Sequence, residues 1–363
     1  MKQLYKGLVP LCVVLCVCLG LSAFALRTYW LYDWNDVEVI NQLIEENNLD
    51  YPKYQPSKWD FVNWARRENG PLKAHGIHFH SGLSIPAADL SQLDNMEYFW
   101  DESGTVETLL LPASAKTVRC RQGILKTLDC SRATALESLR CDGNQLTELD
   151  LSNAKMLDSL DCSDNQLTML NITGLDALEE VKCEGNRLET LDLTGVSGLV
   201  RLDCDDNLLK ELNCSEKKKL CEIECSNNQI TELHLDGALN LKDLRCENNQ
   251  LTKLRMADLP KLEYVRCAEN PFKQVIVDNL PSLEYLNCSK ERGRIVLYGG
   301  MQLISFDYPS RTVTVKAEPP AGKYLGGITG LPEGTEIVDD TATFQLTWSV
   351  VDLTPRYWDE SLK

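Results

Sequence analysis

Leu136-Glu-Ser-Leu139-Arg-Cys141-Asp-Gly-Asn144-Gln-Leu146-Thr-Glu-Leu149-Asp-Leu151 decides the architecture, because its pattern returns every 21 residues on either side. Cysteine stands at 120, 141, 162, 183, 204, 225, 246, 267 and 288. Asparagine follows three residues behind, at 144, 165, 186, 207, 228, 249 and 270, while Leu, Ile or Phe holds 146, 167, 188, 209, 230, 251 and 272. A fixed period of this length marks a coil in which each turn packs only on its neighbours. Within one turn, L-x-x-L-x-C and L-x-x-L-x-L each send alternate side chains inward, which predicts two short strands per turn and two parallel sheets facing one another.

Each position has its own physical reason. Leu139, Val181, Leu202, Ile223, Leu244, Val265 and Leu286 form one apolar column, and truncating one to Ala is expected to cost ~2–5 kcal/mol. Asparagine stands where the chain leaves the strand, because its amide can satisfy backbone groups that no water reaches, and aspartate there would bury a charge. The pattern resembles the leucine-rich repeat family, and within it the 21-residue class of bacterial internalins, some of which carry a cysteine ladder. That resemblance implies a mostly β, in part α+β, solenoid of parallel strands in a right-handed coil that binds a protein through its concave sheet. It also implies adhesion or host interaction as the setting.

Twelve cysteines lie beyond residue 25, a number that outside the cytoplasm usually means disulfides. In-register parallel strands hold equivalent residues ~4.8 Å apart with parallel Cβ vectors, whereas a disulfide needs Cβ atoms ~3.8 Å apart and converging. The ladder thiols are therefore expected to be free and to act as small apolar groups, with Cys130 and Cys214 replacing Leu in the second strand column. Cys221 falls outside both columns and is the candidate reactive thiol. Metal binding by the ladder would require shared buried negative charge, so no metal or cofactor is expected.

The flanks suggest caps and a destination. Residues 1–25 read as a secretory signal: Lys2 and Lys6, an apolar run from Leu8 to Leu21, and Ala23-Phe24-Ala25 as the cleavage site. The expected location is secreted or cell surface, with no membrane insertion after cleavage; an uncleaved anchor over Leu8 to Leu26 is the competing reading. Residues 26–95 form an N-terminal cap, with an amphipathic helix from Asp33 to Asn48, strands at Trp59 to Trp64 and Gly76 to His80, and five of the seven tryptophans of the chain before the regular turns. The coil then runs over 96–298. Strands at Met301 to Phe306, Thr312 to Ala317 and Thr343 to Val350, separated by Pro319-Pro-Ala-Gly and Gly326-Gly-Ile-Thr-Gly, predict a β-rich cap or small immunoglobulin-like module over 299–363.

The outward side of the first strands is the candidate binding surface: Arg140, Asp161, Lys182, Asp203, Glu224, Arg245 and Arg266 in one column, with Tyr264 and Tyr285 beside it. Tyr and Arg dominate protein interfaces and opposite charges set register, so the expected partner is a protein, with a glycan as the other class. The second column, Asp150, Asn171, Asp192, Asn213, His234 and Arg255, is the fallback face. His75, His78 and His80 read as a solvated strand face rather than a metal set. Asn171-Ile-Thr, Asn213-Cys-Ser and Asn287-Cys-Ser are glycosylation sequons by form alone.

A formal net charge of −17 repels nucleic acid and anionic lipid, so neither is an expected partner. No nucleophile with an adjacent base, phosphate-binding Gly loop or complete metal set points to an enzyme. The competing reading is an envelope scaffold or self-associating structural repeat protein.

Overall fold

A computed structural model describes residues 31–66, 70–288, 295–297, 301–307, 312–317, 323–329, 331, 334–345 and 351–359. The expected secretory signal therefore lies outside the described residues. The chain divides into two units, Met1–Met156 and Leu157–Lys363. Both are built from parallel-strand coil, about ten turns in all with little helix.

In the first unit the helix α1, Trp34–Glu46, begins on Asp33, whose carboxylate accepts from the backbone N–H of Asn35 and Asp36. Val37, Ile40, Leu43 and Ile44 line its buried side, the face that their spacing requires. The Asp36 carboxylate accepts from the Ala74 N–H at 2.8 Å, which ties α1 to the strand Leu72–Phe79. Burial pushes the Asp36 carboxyl up to about 6. At the other end Asn47 brackets Ala87, donating to its carbonyl and accepting from its N–H.

Val62–Arg66 and Leu72–Phe79 form the expected antiparallel hairpin. Leu72–Phe79 also pairs in parallel with Tyr98–Asp101, followed in order by Thr117–Cys120 and Ser138–Arg140. Parallel pairing thus starts ahead of Met96, on the last strand of the N-terminal segment. Ala87–Asp89, Thr108–Leu110 and Thr127–Asp129 make a three-stranded second sheet. The aromatic core of this end is built from phenylalanine more than tryptophan. Phe61 meets Phe79 at 6.1 Å and Phe79 meets Phe99 at 5.2 Å, all buried, whereas Trp34 and Trp100 are exposed.

In the second unit the three-residue strands from Ser159–Asp161 to Tyr285–Asn287 pair in parallel and in register at every 21st residue. Their middle residues, Leu160 through Leu286, are buried, and so are Cys162, Cys183, Cys204, Cys225, Cys246, Cys267 and Cys288. All twelve described cysteines are free. The asparagine of each turn does what an amide alone can do. Asn228 donates to the carbonyls of Cys204, Cys225 and Ser226 and accepts from the Leu209 N–H at 3.0 Å, so one side chain bonds two turns.

The second sheet is discontinuous. Glu211–Asn213 pairs with Glu232–His234, and Lys253–Ala257 with Gln274–Asp278, but the segments around Leu170 and Leu191 form no strand. Their Leu170, Ile172, Leu191 and Leu193 still point inward. Inward packing is thus kept by the side chains without a backbone ladder.

Tyr285–Asn287 is followed by Ile295–Leu297, which runs antiparallel to it and ends the coil. Ile295–Leu297 pairs with Val351–Asp359, and that strand with Lys323–Thr329. Met301–Asp307, Thr312–Ala317, Thr341–Gln345 and Ile337–Val338 form a separate four-stranded sheet. Gly326-Gly-Ile-Thr, expected to separate strands, instead lies within Lys323–Thr329. Its pairing register shifts between Leu325 and Gly327, the irregularity that a glycine inside a strand permits.

Candidate functional site

Three residues per turn are too few to bury both sides of a strand, so the residues flanking each buried middle position face out. In the second unit this places Asp161, Lys182, Asp203, Glu224, Arg245 and Arg266 in one column, and Tyr264 beside Tyr285 in the next. Arg140 belongs to the sheet of the first unit. Most of these side chains are half-buried rather than open, because neighbours on adjacent strands stand ~4.8 Å apart and pair with one another.

Arg245 is the hub of that pairing. Its guanidinium reaches Glu224 at 2.5 Å, Asp243 at 3.2 Å and Glu222 at 3.7 Å, while Nε is buried without a partner. Arg266 contacts Asp243 at 3.5 Å and lies over the Tyr285 ring at 5.6 Å. The Tyr264 hydroxyl donates to Glu284 at 3.0 Å, and Tyr264 is 37% exposed. Lys182 stands 3.7 Å from Glu180. A shallow depression of about 260 Å³ opens between Lys182, Arg201, Asp203, Glu222 and Glu224.

The acidic side chains of the same face are less well compensated. Burial pushes the Glu184 carboxyl up to about 7, and burial likewise raises Asp205 to about 7, with Asp203 and Glu224 adding repulsion there. Asp203 and Glu224 are themselves raised by burial. Carboxylate oxygens of Asp203, Asp205 and Glu224 all lie within 4.8 Å of one another, a hard-oxygen set of the kind a divalent cation accepts. The sequence points to no metal site, and Glu184 and Asp205 are legible in it only as outward positions just after the ladder cysteines, outside the candidate binding column. They stand two residues beyond the outward column, and only the coil brings them beside it.

The fallback face has a structural job. The Asp150, Asn171, Asp192 and Asn213 side chains accept from the backbone N–H of Ser152, Thr173, Thr194 and Ser215, closing the bend that follows each inward-packed second segment, whether or not that segment forms a strand. Asn-x-Ser/Thr is therefore written by turn chemistry at Asn171 and Asn213. Lys217, the first of three consecutive lysines, donates to the Leu193 carbonyl at 2.7 Å and so ties its bend to the preceding turn. In the first unit His78 lies 3.3 Å from Glu102 and His80 lies 3.5 Å from Asp60, so each imidazole has a separate carboxylate.

Every 21 residues a strand, a buried sulfur and a bridging asparagine recur in register. The fold is a leucine-rich repeat solenoid with a cysteine ladder. No family model matches this sequence, and no curated protein matches it. Solved solenoids of similar fold include the functional domain of InlJ from Listeria monocytogenes, which itself includes a cysteine ladder, at 18% identity, 74% of each chain and a TM-score of 0.41. The leucine-rich effector YopM from Yersinia pestis is 23% identical over 58% of this chain and 70% of its own, with a TM-score of 0.43. LIC12759 from Leptospira interrogans is 17% identical over 59% and 72%, at 0.42. Likenesses this loose carry nothing about partners; the leucine-rich repeat reading rests on the register and columns of this chain.

Proposed function

We propose that this leucine-rich repeat protein is a binding protein, not an enzyme, and that the outward sheet face of its second unit takes up another protein. The observation that carries the reading is the unequal pairing of that face. Arg245 and Arg266 are held among carboxylates at one end, while Glu184, Asp203 and Asp205 crowd together and hold their protons unusually tightly. A cationic segment of a partner relieves that crowding, and Tyr264 and Tyr285 supply the large rings on which interfaces concentrate energy. The secretory character of residues 1–25 supports a secreted or cell-surface setting, in which adhesion or host interaction fits such a face.

The test compares wild type with Asp203→Lys/Glu224→Lys and with Tyr264→Ala/Tyr285→Ala as baits for secreted and surface proteins, with Glu211→Ala on the other sheet as control. Loss of the same partner by both face variants, with the control retaining it, is the expected result. Equal recovery by all four would remove the face from consideration. Light scattering across a concentration series separates this reading from self-association.

A further inference from the structure

The sheet of the first unit carries a different surface. Its register sets His78 beside Trp100, Trp100 beside Arg119 and Arg119 beside Arg140, so one outward column runs imidazole, indole, guanidinium, guanidinium across four strands. The neighbouring column runs Gly76, Tyr98, Thr117 and Ser138. A Cβ on Gly76 would stand 2.0 Å from the Tyr98 ring carbons, so the phenol lies where a side chain is missing. Trp100, 37% exposed, meets Tyr98 at 5.5 Å and the edge of His78 at 5.8 Å, with Arg119 over its ring at 5.5 Å.

The cations around this column divide sharply. Lys116, Arg121 and Lys126 are each paired, with Glu97, Asp142 and Glu107. Arg119 and Arg140 stand on adjacent strands, and among the described residues neither forms an ion pair. The two arginines put like charge on neighbouring strands, and an anion held by both offsets it with paired, charge-assisted hydrogen bonds. The aromatic groups next to them offer area without a deep pocket, and the half-buried Thr117 and Ser138 continue the Tyr98 column alongside the two arginines.

We propose that this face is a saccharide site specific for a sugar ring bearing a carboxylate. The carboxylate bridges Arg119 and Arg140, the C–H face of the sugar rests against Tyr98 and Trp100, and its hydroxyls meet Thr117, Ser138 and His78. A peptide side chain would need a pocket to bury its apolar part, whereas a sugar is apolar on one face and polar around its rim, as this surface is. The net charge of −17 repels long polyanions, so the ligand is an otherwise neutral glycan with a single acidic unit.

Calorimetry on the full chain tests this with three probes: a glucose tetrasaccharide ending in glucuronate, the same tetrasaccharide with that carboxylate reduced to the alcohol, and a tetrapeptide with one glutamate beside a phenylalanine. The acidic sugar is expected to bind and the reduced sugar to bind at least about tenfold more weakly, as one lost charge-assisted contact implies. Arg119→Ala and Arg140→Ala should remove that preference. Gly76→Ala, which displaces the Tyr98 ring, should weaken both sugars alike at unchanged circular dichroism. Should Gly76→Ala disturb the fold, Trp100→Phe serves instead. Equal binding of the two sugars, tighter binding of the peptide, or no saturation by any probe at millimolar concentration would overturn the site. None of these readouts involves the face of the second unit.

Discussion

Asn228 shows how much one side chain holds in this coil. Its amide donates to three carbonyls and accepts from one N–H, all inside bends closed to water. Asn228→Asp removes the donors and buries a charge, so urea unfolding should show a loss of about 3 kcal/mol or more; an unchanged midpoint would mean that water enters the bend. The residue just before each ladder asparagine is equally constrained. Gly143, Asp164, Gly185, Asp206, Asn227, Asn248 and Glu269 all have positive φ, between 50° and 67°. Six of the seven are residue types that tolerate the left-handed region, and Glu269 is the departure. Glu269→Gly should stabilise by ~0.5–1 kcal/mol, read from the same unfolding curves. Thiol chemistry also separates residue by residue. Burial raises the thiols of Cys120, Cys162, Cys183, Cys204, Cys225, Cys246 and Cys267, and pushes Cys130 and Cys214 up to about 12, while Cys221 is half-exposed. A short iodoacetamide pulse on folded protein should label Cys221 first, and mass spectrometry showing labelled ladder cysteines at equal rate would contradict the packing.

At the scale of the element, three-residue strands are too short to be stable alone, and each is held by its neighbours in register and by the buried middle residue. Ile223→Ala in the middle of the second unit should therefore cost ~2–5 kcal/mol and lower the cooperativity of unfolding, since turns on both sides lose a packing partner. The second strands carry less of the load, because Leu170 and Leu191 are buried without any ladder around them. The asparagine sequons belong to this scale as well. Asn213→Ala should cost about 1 kcal/mol through loss of the turn that ends at Ser215.

For the whole molecule, the crowded acids make stability depend on pH in a direction opposite to ordinary acid denaturation. Asp205 and Glu184 have carboxyls near 7 in the folded state, above the usual carboxylate range. They bind protons more tightly folded than unfolded, so the cost of ionising them is absent below ~4 and complete above about 7. Stability should rise as pH falls from 8 to 5, by ~1–2 kcal/mol after discounting for solvent screening. Asp36 in the first unit, at about 6, acts with the same sign. Below ~4 the trend reverses, because the turn-closing Asp129, Asp150 and Asp192 are held low by their hydrogen bonds. Chemical unfolding of wild type and Asp205→Asn/Glu184→Gln across this range checks the claim; identical slopes would refute the crowding.

The sequence alone was enough for the period, the inward leucines and cysteines, the bridging asparagines, the capping helix and the outward column of charges. All of these are local or strictly periodic, so spacing encodes them directly. Three things came only with the tertiary structure. The first is which charges neutralise one another: Arg245 chooses among three carboxylates from two turns, and no spacing rule ranks them. The second is the crowding of Asp203, Asp205 and Glu224, which depends on how one turn lies against the next. The third is the Tyr98 ring lying over Gly76, a contact between residues 22 apart that only the pairing of their strands creates. Repetition writes the coil into the chain, but electrostatic and steric fit between turns is a property of side chains meeting in space.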